Sequence, residues 1–471
     1  MVDAALLDRL IKAYDVRGVV PDDLSPEIAR LVGAAFVGVV AARTSDGGPG
    51  TVVVARDMRP SGPDLVAAFA EGATSQGVDV LDIGLASTDQ LYFAAGSLGL
   101  PGAMFTASHN PAQYNGIKLC RVGASPVGQE TGLREIRDLV LAWAQSGVPG
   151  YDGATGTVSQ RDLLAEYAAF LNHLVPLGAS RHLTVVVDAG NGMGGHTVPA
   201  VLAGLPLTVI PLYFELDGSF PNHEANPIEP DNLRDLQAAV LEHRADLGLA
   251  FDGDADRCFV VDERGIGVDP STLTALIAVR ELAKDPGSSI IHNLITSAAV
   301  PEIVIEHGGI PVRTRVGHSF IKTRMAETGA VFGGEHSGHF YFRDFWRADS
   351  GMLAALHTLA ALGETPEGTT LSSLLAQYQR YVSSGEINTT VSDQLAVIAA
   401  IREAYVSRPG VTLDDLDGLT VSGDDERGRW WFNVRPSNTE PLLRLNVEGA
   451  DPGLMESVRD EALAIIRGDH A

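Results

Sequence analysis

The chain is short of cysteine, of long apolar runs and of positive charge, and each shortage excludes something. Only two cysteines, Cys120 and Cys258, occur in 471 residues. That is no disulfide framework; it fits a reducing, cytoplasmic setting. Two thiols cannot build a four-thiolate zinc site. No apolar stretch approaches the roughly 20 residues of a membrane span, so no membrane partner is expected. Residues 1–14 carry Asp3, Asp8 and Arg9 among apolar residues, which reads as an amphipathic helix and not as a signal peptide. Lys and Arg number 34 against 60 Asp and Glu, a net charge of −26. A nucleic-acid surface wants a basic stripe, so no nucleic acid is expected. An anionic small molecule could still bind if basic groups gather locally. Low-complexity segments are absent, and the Gly/Asp/Ser stretch at 44–50 reads as a surface loop.

What is present is an ordinary globular composition, 45% hydrophobic and 20% charged. The length allows about three or four domains at roughly 100–200 residues each. One pattern recurs three times: apolar run, Gly or polar loop, helix-like stretch, apolar run. It covers 50–83, 183–210 and 289–312. Alternating strands and helices imply α/β layers with parallel strand pairs. Even spacing suggests three related domains; one large sheet is the alternative. After a linker expected near 378–385, the pattern changes. Strand-like segments at 386–391, 419–421, 430–434 and 442–447 accompany helical ones at 393–405 and 452–466, which suggests a smaller α+β domain. The expected divisions are 1–155, 156–265, 266–380 and 381–471.

Four motifs carry chemistry. Thr106-Ala107-Ser108-His109-Asn110-Pro111 follows an apolar run ending in Phe105. Ser108 there is either an exposed nucleophile or part of an ordinary turn, since Ser, Asn and Pro are all turn residues. Asp252-Gly253-Asp254-Ala255-Asp256-Arg257 joins two apolar strands. Three close carboxylates repel each other unless a cation compensates them, and all-oxygen ligands suit Mg²⁺ or Ca²⁺. The spacing also resembles an EF-hand with Glu263 at position 12. However, Arg257 stands where the sharp turn wants Gly, and the flanks read as strands. Arg257 beside a metal suits a phosphate shared between them. Gly333-Gly334-Glu335-His336-Ser337-Gly338-His339 could hold vicinal hydroxyls through Glu335 and Ser337, which point the same way from an extended segment. It could equally be a structural loop. Arg435-Pro436-Ser437-Asn438-Thr439-Glu440-Pro441, with Arg444 close behind, offers a guanidinium and small donors for a phosphate, or a plain turn.

Together, in this order, the four motifs resemble the α-D-phosphohexomutase superfamily, and most closely its bacterial phosphomannomutase/phosphoglucomutase members. The likeness runs from Tyr14-Asp15-Val16-Arg17-Gly18 to Arg444. It implies three similar α/β domains with mixed sheets and a C-terminal α+β domain around a central cleft. It implies that Ser108 is phosphorylated and that Asp252, Asp254 and Asp256 hold Mg²⁺ with a phosphoserine oxygen. His109 then touches the phosphoserine. Arg17, Lys118, Arg257 and His318 match cleft positions, and Lys118 or His318 moves the proton. Glu335, Ser337 and the nearby His339 face the sugar. Arg435, Ser437, Asn438 and Thr439, with Arg444, hold the phosphate that is not reacting. Asn438 resembles the mannose/glucose group, and the Glu335-His336-Ser337 loop differs from that of dedicated phosphoglucomutases. Ala255 replaces a frequent Gly.

The implied reaction exchanges mannose 6-phosphate and mannose 1-phosphate through a hexose 1,6-bisphosphate, which is both intermediate and activator. A dual mannose/glucose mutase, a metal-dependent phosphosugar phosphatase and an inactive phosphosugar-binding protein are the alternatives. The expected state is monomer or homodimer.

Overall fold

The computed structural model describes residues 2–40, 50–437 and 442–468; for His318 and Ser319 it describes the backbone alone. The stretch at 44–50 lies outside the described residues except for Gly50. The chain forms two compact units, each discontinuous in sequence. The first comprises 1–268 and 337–372, the second 269–336 and 373–471.

In the first unit, strands β1 (Val16–Val19), β2 (Thr51–Arg56), β3 (Asp79–Leu85), β4 (Gly102–Phe105), β5 (Tyr114–Arg121), β6 (Ser125–Pro126) and β7 (Val158–Gln160) build a mixed sheet. Its order is β1-β5-β4-β2-β3-β7, with β6 beside β5. β2 runs parallel to β3 and β4, while β5 is antiparallel to β4 and β1. The helices Pro26–Val39 and Gly62–Ser75 cover one face and bury Phe36 and Phe69. Gly72 makes that close pairing feasible, because a methyl there would lie 1.9 Å from the Arg30 carbonyl oxygen.

The same unit holds a second mixed sheet of β8 (Leu183–Asp188), β9 (Leu207–Leu212), β10 (Leu247–Phe251), β11 (Cys258–Asp262) and β12 (Gly267–Val268), in the order β12-β11-β10-β8-β9. β8 pairs in parallel with β9 and β10, and β10 with β11 antiparallel.

In the second unit, β13 (Ser289–Asn293), β14 (Ile310–Thr314) and β15 (Phe332–Gly334) run parallel in the order β14-β13-β15. β16 (Phe340–Phe342) and β17 (Ala348–Asp349) pair antiparallel inside the first unit. The last sheet belongs to the second unit and is wholly antiparallel. It comprises β18 (Val382–Thr390), β19 (Val411–Asp414), β20 (Leu419–Asp425), β21 (Gly428–Pro436) and β22 (Leu442–Gly449), in the order β18-β22-β21-β20-β19.

The three repeats therefore each contain the expected parallel pair: β2/β3, β8/β9 and β13/β14. The C-terminal segment has the expected strands and helices, with bounds shifted by a few residues, and an edge strand, β19, that was not expected. β18 starts at Val382, inside the stretch expected as linker. The N-terminal helix is Ala4–Leu10, capped by Asp3 and buried through Leu7 and Leu10. Among the described residues no helix is long and apolar enough to cross a membrane.

Candidate active site

Parallel α/β sheets offer functional loops at the carboxyl ends of their strands, and both leading motifs lie there. β4 is buried along its whole length and ends at Phe105, just before the serine loop. β10, equally buried, ends at Phe251, just before Asp252. The two loops meet inside the first unit. Ser108 Oγ donates to Asp252 Oδ2 at 2.7 Å, and its own backbone sits in the left-handed region at φ 50°. Gly253 allows this approach, since a Cβ there would stand 2.4 Å from the Ser108 carbonyl oxygen.

The neighbours of Ser108 set its charge environment. His109 Nδ1 lies 3.2 Å from Oγ. Burial, then Arg257 and Arg17, push the His109 pKa down to about 2, so its imidazole is neutral. Arg257 donates through Nε to Asp252 Oδ2 at 2.8 Å and reaches Ser108 Oγ at 3.4 Å. Arg17 bonds Asn110 Oδ1 at 2.6 Å and Asp15 Oδ2 at 2.5 Å.

The three aspartates are buried. Their nearest carboxylate oxygens all lie within 4.8 Å of one another. Lys118 Nζ bridges Asp254 Oδ2 at 2.7 Å and Asp256 Oδ2 at 2.6 Å. Thr88 Oγ1 adds a second contact to Asp254, at 2.6 Å. Burial raises the Asp252 pKa to about 7 despite Arg257, with the other two aspartates adding to the rise. Burial would raise Asp254 too, but Lys118 outweighs it and holds that carboxyl far below its usual range. The two carboxylates in turn overcome the burial of Lys118 and keep its ammonium charged. Asp254 Oδ1 and Asp256 Oδ1 are buried without a hydrogen bond. An all-oxygen set with unbonded buried oxygens fits a hard divalent cation. The EF-hand alternative does not fit: strands flank the loop, and Glu263 accepts from the Ser372 backbone at 3.0 Å.

The glycine-framed loop divides between the units. Glu335, in the second, accepts from Gly317 N at 3.1 Å and from Asn293 Nδ2 at 3.3 Å. Ser337, in the first, bonds His339 Nδ1 at 2.9 Å, and His339 Nε2 stands 3.6 Å from Asp256 Oδ1. In the second unit Arg435 and Arg444 sit opposite each other on β21 and β22. They share Glu386, at 2.6 and 3.4 Å. The Ser437 backbone bonds Leu442 O at 2.9 Å. Asn438 and Thr439 lie outside the described residues, as does the side chain of His318.

Two buried residues at this site were not foreseen, Asp57 and Arg59. The signal available was a charged Arg56-Asp57-Met58-Arg59 run directly after the apolar β2. Thr88, at the start of the helix Thr88–Leu98, was likewise not foreseen.

Family models of the phosphoglucomutase/phosphomannomutase type match four segments. The alpha/beta/alpha domain I model matches residues 8–146, domain II 165–265, domain III 269–381 and the C-terminal domain 386–465. A phosphomannomutase of Escherichia coli is 40% identical over 97% of this chain and 98% of its own length. A phosphomannomutase/phosphoglucomutase of Pseudomonas aeruginosa is 38% identical over 96% of this chain and 94% of its own. The crystal structure of a phosphoglucomutase/phosphomannomutase family protein from Burkholderia thailandensis superposes with a TM-score of 0.86 at 32% identity, covering 98% of both chains.

Proposed function

Because the chain belongs to the phosphoglucomutase/phosphomannomutase family and is thus a phosphohexomutase, an intramolecular phosphotransferase, we propose that it interconverts mannose 6-phosphate and mannose 1-phosphate with Ser108 as the phosphoryl carrier. One observation carries this reading: Ser108 Oγ, 2.7 Å from Asp252, lies beside the cluster formed with Asp254 and Asp256 and within reach of Arg257.

In the proposed cycle the free hydroxyl of the bound phosphosugar attacks the phosphorus carried on Ser108. The Ser108 Oγ–P bond breaks and a sugar O–P bond forms, giving a hexose 1,6-bisphosphate. The hydroxyl proton passes to His318 or to Lys118, the latter only once it has given up the proton that Asp254 and Asp256 hold on it. The bisphosphate turns over, its other phosphoryl group returns to Ser108, and the proton returns to the sugar oxygen. Such transfer depends on positioning and on neutralising phosphoryl oxygens. Arg257 is placed for the second task. Mg²⁺, held by Asp252, Asp254, Asp256 and an oxygen of phosphorylated Ser108, would supply further neutralisation. His109, whose Nδ1 lies 3.2 Å from Ser108 Oγ, would touch the phosphoryl group. Arg17, Glu335, Ser337 and His339 would orient the sugar. Arg435, Ser437, Asn438, Thr439 and Arg444 would take the distal phosphate. The corresponding domains are 1–155, 156–265, 266–380 and 381–471.

The Pseudomonas relative carries both names, which favours a second reading with glucose phosphates as additional substrates. Comparing mannose 1-phosphate with glucose 1-phosphate, with Mg²⁺ and a trace of hexose 1,6-bisphosphate, decides between them. Equal rates remove the mannose-specific reading. Ser108→Ala should abolish turnover and leave phosphosugar binding by calorimetry intact; full activity in that variant sinks the proposed cycle. Release of inorganic phosphate in place of isomerisation by the unaltered protein would point to a phosphatase.

A further inference from the structure

We propose that Arg59 is the positioning residue of the phosphoryl-carrying serine, a planar cation on which the loop from Ser108 to Tyr114 is wrapped. The inference rests on the reading of Ser108 as the carrier.

Arg59 is completely buried, so it touches no substrate. A guanidinium has five N–H donors in a fixed fork, and here each has an acceptor. Nε donates to Asp57 Oδ2 at 3.2 Å. One terminal nitrogen donates to the carbonyls of Pro111 and Tyr114 at 2.9 and 2.8 Å. The other donates to those of Ser108 and Asn110 at 2.9 and 2.7 Å. Four carbonyls of one short loop therefore converge on one cation. Asp57 orients that cation from below and also accepts from the Arg59 backbone N–H at 3.0 Å. The guanidinium face is covered by the Phe220 ring, 5.3 Å away.

The loop has a reason to need such a core. Ser108 holds a left-handed backbone, which is strained for an L-residue. Strained conformers persist only where their surroundings over-determine them. The peptide carbonyl that Arg59 grips belongs to Ser108 itself, so the grip fixes the direction of the Cα–Cβ bond and hence of Oγ. Lysine cannot replace it, being a point charge with three donors. A misplacement of about 1 Å in a reacting group can cost on the order of 100-fold in rate.

The experiment measures kcat and KM for mannose 1-phosphate in the unaltered protein, Arg59→Lys and Arg59→Ala, with folding followed by circular dichroism. Arg59→Lys should lower kcat by about 10- to 100-fold and leave KM within roughly threefold, because no substrate contact is lost. Millimolar guanidinium should restore activity to Arg59→Ala, and the same concentration of ammonium should not. A kcat within twofold of the unaltered protein, or a loss confined to KM, overturns the proposal. Should neither variant fold, Phe220→Leu uncovers the guanidinium face at a half-buried position; a lower kcat at constant KM supports the clamp, and an unchanged kcat overturns it. The unaltered protein separates the two layers: absence of isomerase activity or of phosphate on Ser108 there defeats the reading of Ser108, not the clamp alone.

Discussion

A methyl group at residue 253 has nowhere to go. It would meet the Ser108 carbonyl oxygen at 2.4 Å, and Gly192 behind it leaves no retreat, since a Cβ there would lie 2.7 Å from the Gly253 carbonyl oxygen. Gly253→Ala is expected to lower stability by about 1–3 kcal/mol and to cut turnover by pushing the metal loop off the serine loop; calorimetric unfolding and isomerase assays check both. Lys118→Met tests the cluster differently. It leaves Asp254 and Asp256 buried without their shared cation, a loss of about 3–5 kcal/mol for a broken buried pair. Measured by urea unfolding in EDTA, that loss should shrink when Mg²⁺ is added. An equal loss under both conditions would show that no divalent cation compensates these carboxylates. At this scale the sequence exposes residues whose partners are neighbours: Ser108 with His109, or three aspartates two positions apart. It hides Arg59, because backbone carbonyls are its main partners and any residue supplies one.

Single elements carry their own pH dependence. β13 buries His292, and burial pulls its pKa down to about 4 from 6.5, although its Nδ1 faces the Asn293 carbonyl. The unfolded chain binds the proton more readily between those values. Stability from this group is thus present above pH 6.5 and lost as pH falls through 4, at up to about 1.4 kcal/mol per pH unit. His292→Gln should flatten that slope in denaturant titrations between pH 4 and 7, and an unchanged slope would assign it elsewhere. The strand itself was legible from the Ser289-Ile290-Ile291 run, as were β2 and β8 from their valine runs. Two-residue edges such as β6, β12 and β17 were not, because so short a pairing has no period to read. β7 is exposed throughout and joins its sheet by backbone pairing with β3.

Across the whole molecule, the serine loop and the metal loop both belong to the first unit. Mg²⁺ that binds there only in the folded state should therefore raise the thermal transition; calorimetry with and without EDTA reads this directly, and an unchanged transition would count against a divalent-cation site. Acid should act with opposite sign on a group in each unit. Burial raises the Asp89 pKa in the first unit to about 6 from 3.8, so its contribution grows as pH falls, opposite in sign to that of His292. Three repeats and a different C-terminal segment foretold four domains, but not that the chain leaves the first unit at 268 and returns at 337. No apolar pattern records which unit a segment rejoins. The returning helix Gly351–Gly363 is wholly buried. A methyl on its first residue would meet the Arg257 carbonyl at 2.6 Å, and its capping Ser350 bonds Asp89 at 2.6 Å. On the ribosome this support emerges long after Asp252–Asp256. The nascent aspartate loop must wait, unbraced and acidic, while the parallel strands β13, β14 and β15 of the other unit are translated. A stall or truncation before residue 337 would release a chain that holds Asp252, Asp254 and Asp256 and lacks the helix that backs them.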